Sequence, residues 1–149
     1  MSQIDEFTAA DQAEVRSLIL RGLADHWGEI DETLNPDLDD VLANYGHGRT
    51  IVVREGDEII GTGTIVPLED GRAEIVRMSV DTVSRRSGVG REIVEVLLDT
   101  AREWDVRTVV LETTSTWTDV VAFYLSCDFR ITHTIDGDFG SDTWFVRAV

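Results

Sequence analysis

Lysine is absent from this sequence, and cysteine, proline and long apolar runs are scarce. All 13 cationic residues are arginine, against 29 aspartates and glutamates, which gives a formal net charge of −16. Such an acidic surface repels nucleic acid and anionic lipid, so we expect neither as a partner. No stretch approaches the roughly 20 apolar residues that cross a bilayer, so no membrane span is predicted.

The single cysteine and the start of the chain bear on location. Cys127 has no partner for an intramolecular disulfide, as is typical of reducing compartments. The first six residues are acidic where a secretory signal is basic and then apolar. We therefore expect a cytoplasmic protein, folded as a single domain over residues 1–149.

Hydrophobic spacing predicts helices first and strands later. Apolar residues recur at helical spacing over residues 9–27, with Thr8 as the cap, and more weakly over 37–45. β-Branched runs over 50–53, 59–66 and 73–80, separated by glycine-containing turns, predict an antiparallel meander. Gly61 and Gly63 in the second of these strands indicate a bend or a close backbone approach.

The second half alternates helix and strand. A helix over 90–104 and a strand over 108–111 predict a crossover that leaves two strands parallel. A helix over 119–125 and a hairpin over 129–135 and 143–149 follow. The sequence thus predicts an α+β fold, with a twisted mixed sheet of six to seven strands and helices on both faces.

A cationic island lies between the third strand and the long helix. Residues 84–91 read Ser-Arg-Arg-Ser-Gly-Val-Gly-Arg, with three arginines and no acid. Free backbone amides and the helix dipole favour an anion there, and Gly88 and Gly90 let the backbone approach it. A Walker loop would need lysine, and a dinucleotide fingerprint would need glycine in place of Ile93. An ordinary basic turn and a domain that binds another nucleotide anion are the alternatives.

Three segments together resemble one enzyme superfamily. Residues 85–90 match the pattern Arg/Gln-x-x-Gly-x-Gly/Ala, and residues 73–80 are similar to the strand that leads into that loop. Residues 122–129, Ala-Phe-Tyr-Leu-Ser-Cys-Asp-Phe, are similar to a helix-to-strand segment of the type Phe-Tyr-x-x-x-Gly-Phe. These motifs, in this order over nearly the whole chain, resemble the GNAT superfamily of acetyl-coenzyme A-dependent N-acetyltransferases.

The resemblance implies acetyl-coenzyme A as co-substrate and no metal. The loop amides would hold the pyrophosphate, and the backbone of β-strand 73–80 would bond the pantetheine arm and stabilise an oxyanion. The cofactor-binding residues so implied are Met78, Ser79, Val80, Arg85, Arg86, Ser87, Gly88, Val89, Gly90, Arg91 and Trp117.

The resemblance also implies a general acid and leaves the base open. Tyr124 would protonate the departing thiolate, with packing in the core as the alternative. Glu74, which strand alternation places on the face of Met78, and Glu112 could each accept a proton through water, or be plain surface carboxylates. His133 suits a base by its chemistry, but nothing in its strand position aims it at the site.

Two positions depart from the family pattern. Trp117 stands where the family often has a cofactor-contacting asparagine, so packing against the pantetheine is expected instead. Asp128 stands in place of a glycine, and aspartate tolerates the left-handed conformation better than most residues.

The implied function is transfer of an acetyl group to a primary amine, by direct attack through a tetrahedral intermediate. The alternative is a non-catalytic module that binds or senses acyl-coenzyme A. The acceptor would be a small-molecule amine, cationic if the acids and aromatics near the site bind it, and a homodimer is compatible with the sequence. The regions expected to surround the acceptor offer Trp27, Glu29, Asp31, Tyr45, His47, Phe139 and Trp144. The alternative is that these aromatics belong to the core and these acids to the surface.

Overall fold

A computed structural model describes residues 2–28, 31–85, 87–138 and 140–149. In these ranges the strands are β1 (Ser2–Glu6), β2 (Arg49–Glu55), β3 (Glu58–Pro67), β4 (Ala73–Val80), β5 (Thr108–Thr114), β6 (Arg130–Gly137) and β7 (Gly140–Ala148). The helices are α1 (Gln12–Trp27), α2 (Val41–Tyr45), α3 (Val89–Glu103) and α4 (Thr118–Ser126). None of the helices in these ranges is both long and apolar enough to cross a bilayer.

The described strands form one mixed sheet in the order β1-β2-β3-β4-β5-β7-β6. Neighbouring strands pair antiparallel except β4 and β5, which are parallel and connected through α3. The meander, the crossover and the closing hairpin are therefore confirmed. The parallel pair matters most for the site, because its strands end at the same edge of the sheet.

Each face of the sheet carries its own apolar layer, which confirms helices on both faces. On one face α1 packs Leu18 against residues of β2 and β3 that include Val52. On the other face α3 packs Ile93 and its neighbours against the sheet. Gly63 allows α3 to come this close, because a Cβ on Gly63 would lie 2.7 Å from Cγ2 of Ile93. The expected close approach is therefore confirmed.

The sequence pattern does not predict β1. This strand has one apolar residue, Ile4, among polar ones, so it lacks the alternation that marks a half-buried strand. It forms because its backbone pairs with β2 at the edge of the sheet, where Ile4 lies opposite Val53. Thr8 caps a 3-10 turn, Ala9–Asp11, that leads into α1, and Asp11 accepts a hydrogen bond from the Thr8 amide at 2.9 Å. The predicted helix therefore begins as a 3-10 turn, and Asp11 is the N-cap of α1 itself.

Candidate active site

The parallel strands β4 and β5 separate to form a cleft. In the described part of the chain they pair at Ala73–Val109 and Glu74–Val110, near the beginning of each strand. Further along, a cavity of about 1100 Å³ lies between them, lined by residues of α1, β4, α3, β5 and α4. Ligands of sheets with parallel strands bind at the carboxyl ends of those strands, so this cleft is the candidate site.

The N-terminus of α3 forms one end of the cleft. Gly88, just before the helix, has a φ of 92°, which residues with a side chain rarely adopt. A Cβ on Gly90 would lie 3.0 Å from Cζ of Phe123, so a larger residue would press on α4. Both glycines line the cleft. They leave the first amides of a 15-residue helix open to an anion, as a coenzyme pyrophosphate requires.

Two of the predicted arginines line this end of the cleft and also form hydrogen bonds to neighbouring segments. Arg85 donates to the carbonyl of Val80 at 3.2 Å and to the carboxylate of Asp25 at 3.3 Å. Arg91 donates to the carbonyl and the hydroxyl of Ser126, both at 3.1 Å. A guanidinium has five N–H donors, so each arginine keeps donors for an anion. Arg86 lies outside the described residues.

Two predicted cofactor-binding residues turn their side chains away from the cleft. The side chain of Val89 is buried in the layer between α3 and the sheet. The hydroxyl of Ser87 donates to the carbonyl of Ser84. These two residues can therefore serve an anion through their backbone amides, which is the part of the prediction that the geometry still permits.

A β-bulge interrupts β4 where it borders the cleft. Arg77 and Met78 together lie opposite Gly63 of β3, so β4 has one residue more than its neighbour. Arg77 takes a φ of 52°, a left-handed conformation that is unusual for a residue with a long side chain. Such a bulge changes which side chains and backbone groups of the strand face the cleft.

The bulge overturns the prediction that Glu74 and Met78 share a face. Ile75 and Met78 both pack in the α3 layer, although they are three positions apart and a regular strand would place them on opposite faces. Glu74, adjacent to Ile75, therefore faces the other side of the sheet. Ser79 also turns to that side, where its hydroxyl lies 3.5 Å from the carbonyl of Leu18 in α1.

Tyr124 lies on α4 and reaches the cleft with its hydroxyl. The residue is only 7% exposed, and the hydroxyl donates to the sulfur of Met78 at 3.5 Å. The ring packs between Phe123, Phe129 and Phe145, with ring centroids 5.2 to 6.0 Å apart. Burial raises the pKa of the phenol, so the hydroxyl keeps its proton at physiological pH.

Three carboxylates from the neighbouring strands β4, β5 and β7 form a wall of the cleft: Glu74, Glu112 and Asp142. Burial raises the pKa of Glu74, and the nearby charge of Arg72 offsets part of that rise. Burial, followed by the charges of Asp142 and Glu74, raises the pKa of Glu112. Both glutamates therefore hold a proton to a higher pH than a solvated glutamate does. His133 instead stacks on Trp144, outside the cleft lining.

Trp117, which directly precedes α4, lines the cleft and contacts α1. Its ring centroid lies 4.6 Å from that of His26, and the Nε2 of His26 is 3.2 Å from the carboxylate of Asp119. The indole Nε1 of Trp117 is buried and has no hydrogen-bond partner among the described residues. An unpaired buried donor beside the cleft is available to donate to a ligand, and the role of Trp117 in cofactor binding stays a prediction.

The expected acceptor residues are not brought together in the cleft. Tyr45 lines it, whereas the other described members of the set do not: Trp27, Asp31, His47 and Trp144. Glu29 and Phe139 lie outside the described residues. The set was predicted from regions of the chain, and a region contributes few of its side chains to one cavity.

Several residues of the cleft escape the sequence analysis, among them Arg77, His26 and Asp142. Arg77 falls in a regular strand pattern that gives no sign of a bulge. His26 and Asp142 each stand alone in the sequence, and their place in the cleft depends on contacts with distant elements. The prediction for Asp128 is confirmed, because its φ is 68°.

Comparison with known proteins identifies a family. A model described as the acetyltransferase (GNAT) family matches residues 15–129. N-acetyltransferase 8F1 of Rattus norvegicus is 32% identical over 124 residues, which cover 77% of this chain and 56% of that protein. The chain spans about half the length of the curated relatives it matches.

Solved structures share the fold over the full chain. An acetyltransferase of the GNAT family from Staphylococcus aureus Mu50 has a TM-score of 0.89 at 20% identity and covers 99% of both chains. An acetyltransferase from Streptococcus agalactiae 2603 has a TM-score of 0.86 at 18% identity, and covers 99% of this chain and 98% of its own. At such identities the likeness concerns the fold.

Proposed function

The chain belongs to the acetyltransferase (GNAT) family, and on that premise we propose that it transfers an acetyl group from acetyl-coenzyme A to a primary amine. The observation that carries this proposal is the composition of one cleft. It combines an anion-binding helix N-terminus, a buried phenol and a wall of carboxylates. Acetyl transfer needs a place for each of these: a coenzyme phosphate, a departing thiolate and an amine that must lose a proton.

The N-terminus of α3 and the loop before it would hold the co-substrate. The amides of residues 87–91 would bind the pyrophosphate, with Arg85 and Arg91 adding positive charge. The backbone of Met78 and Val80 would bond the pantetheine arm, and Trp117 would pack against it and donate its free N–H. Acetyl-coenzyme A supplies a thioester, whose carbonyl carbon the amine attacks directly to give a tetrahedral intermediate.

Two proton transfers would follow from the placement of the side chains. Tyr124 would give its phenolic proton to the thiolate, and its raised pKa ensures that the proton is present. Glu74 or Glu112 would take a proton from the amine through water. A backbone N–H near Met78 or Ser79, beside the bulge, would stabilise the oxyanion.

The charge of the wall supports a cationic acceptor. Three carboxylates in one cleft attract a small molecule with an ammonium group, and Tyr45 offers an aromatic face. An anionic acceptor would meet repulsion from the same groups. We therefore place the acceptor among small cationic amines.

A non-catalytic acyl-coenzyme A module is the second candidate. It is favoured by the environment of Tyr124, whose hydroxyl already has Met78 as a partner and whose ring packs like a core residue. This candidate predicts coenzyme binding without acetyl transfer to any member of a broad panel of amines.

Calorimetry with acetyl-coenzyme A, followed by an assay of acetyl transfer to that panel, tests the proposal. Gly88→Glu should weaken coenzyme binding by roughly tenfold or more, because it puts a carboxylate where an anion binds. Gly56→Glu is the matched control, since Gly56 also has a positive φ and open space around it but lies in the β2–β3 turn. Absence of binding at millimolar coenzyme would refute both candidates, and binding without transfer would favour the second.

A further inference from the structure

Arg77 has a left-handed backbone conformation that its own side chain does not favour. A left-handed conformation is unfavourable for a residue with a Cβ, because the Cβ lies too close to the following carbonyl oxygen. The described residues other than glycine with a positive φ are Arg77, Asp105 and Asp128. Aspartate tolerates this conformation by local hydrogen bonding, whereas arginine has no such means. Something in the surroundings must therefore hold Arg77 in place.

A partly buried ion pair supplies that hold. The guanidinium of Arg77 donates to both carboxylate oxygens of Asp37, from Nε at 2.8 Å and from Nη2 at 2.7 Å. The hydroxyl of Tyr45 donates to the same carboxylate at 2.5 Å. The side chains of Arg77 and Asp37 are 24% and 22% exposed, so water screens the pair less than a surface pair.

The charge state of Asp37 agrees with this arrangement. Burial alone would raise the pKa of its carboxyl, but the hydrogen bonds from Arg77 and Tyr45 outweigh it and bring the pKa below the usual value. The carboxylate is therefore ionised at neutral pH, and the pair keeps its full charge.

The pair connects two parts of the cleft. Arg77 belongs to the bulge of β4, beside the backbone proposed to stabilise the oxyanion. Asp37 and Tyr45 belong to the segment of residues 36–45, and Tyr45 lines the cleft from the α1 side. We propose that Arg77 is a positioning residue, which fixes the β4 bulge and the 36–45 segment relative to each other through Asp37. This inference rests on the proposed acetyl transfer for its kinetic consequence.

Three substitutions test whether Arg77 positions the reacting groups or is merely accommodated by the bulge without a role in activity. Arg77→Gly relieves the backbone strain and removes the pair, and Asp37→Asn removes the charge from the other side. Each should lower kcat by about ten- to a hundredfold, with a smaller loss in Tyr45→Phe, because the reacting groups lose their alignment. The dissociation constant for acetyl-coenzyme A, measured by calorimetry, should rise by a smaller factor than kcat falls, since the N-terminus of α3 is untouched and only the backbone contacts of Met78 and Val80 adjoin the bulge.

Asp39→Asn is the matched control. Asp39 lies in the same segment and pairs with Arg16, but its side chain is 66% exposed, so its loss should leave kcat unchanged. Full activity in Arg77→Gly would overturn the inference, and so would equal losses in Asp37→Asn and Asp39→Asn.

Hydrogen exchange tests the coupling without any catalysis. Asp37→Asn and Arg77→Gly should each speed amide exchange in both residues 73–80 and residues 36–45, while Asp39→Asn should not. Faster exchange in one segment alone would overturn the coupling. If the protein acetylates no amine but both segments respond together, the proposed function fails and the structural inference stands.

Discussion

Tyr124 is the single residue on which the proposed chemistry depends most. Its ring is held by three phenylalanines, so the position of the hydroxyl is set by packing rather than by a strong hydrogen bond. The sulfur of Met78 is a weak acceptor at 3.5 Å, and it would release the hydroxyl easily to a better one. A thiolate is such an acceptor.

We predict that Tyr124→Phe lowers kcat by roughly ten- to a few hundredfold, the lower part of the range for general acid catalysis. A thiolate leaves more easily than an amine, so the loss should not reach the upper part. KM for acetyl-coenzyme A and the thermal midpoint should barely move, because phenylalanine keeps the ring contacts. Steady-state kinetics and thermal unfolding measure these quantities. An unchanged kcat would make water the proton donor, and a rise in KM alone would make Tyr124 a packing residue.

At the scale of secondary structure, three strands decide the acidity of the cleft wall. β4, β5 and β7 carry Glu74, Glu112 and Asp142 to the same cavity, where the charges of Asp142 and Glu74 raise the pKa of Glu112. A general base must be ionised to accept a proton, so activity should rise as pH increases through its raised pKa. On the acid side of the pH profile (the acid limb), kcat/KM should therefore begin to fall at a higher pH than the pKa of an ordinary glutamate would give.

Two substitutions identify which glutamate is the base. Asp142→Asn removes a charge that raises the pKa of Glu112, so the acid limb should shift to lower pH if Glu112 is the base. Arg72→Gln removes a charge that lowers the pKa of Glu74, so the limb should shift to higher pH if Glu74 is the base. The pH profile of kcat/KM for each variant measures the shift. A profile that neither substitution moves would exclude both glutamates.

At the scale of the whole molecule, charge repulsion dominates the electrostatics. A net charge of −16 on 149 residues opposes the compact state, although ion pairs such as Arg54–Asp11, at 2.6 Å, offset part of it. A cytoplasmic location and a homodimer stay predictions of the sequence. The acidic surface also leaves the cationic end of the cleft as a local attraction for an anionic coenzyme.

We predict that sodium chloride raises the thermal midpoint by several degrees between about 10 mM and 0.5 M, because salt screens the repulsion. Differential scanning fluorimetry at pH 7 measures the change. The same series near the sequence pI of about 4.3, where the net charge approaches zero, should show little increase and serves as the control. A midpoint that falls with salt at pH 7 would mean that the ion pairs outweigh the repulsion.

The sequence by itself determined the order of elements from α1 onward and the glycine-containing basic loop before α3. Helical and strand periodicity, the glycines of residues 84–91 and the segment around Tyr124 are local features, and local chemistry decides what they form. Even the left-handed Asp128 follows from its own side chain. For the same reason the family resemblance could be recognised before any contact was known.

Only the tertiary structure decided the edge strand, the bulge and the composition of the cleft walls. β1 depends on hydrogen bonds to β2, and the left-handed Arg77 is held by Asp37, 40 residues earlier in the chain. His26 meets Asp119 across 93 residues. These features arise where distant elements pack together, and no local pattern encodes which of the many acidic side chains will face the same cavity.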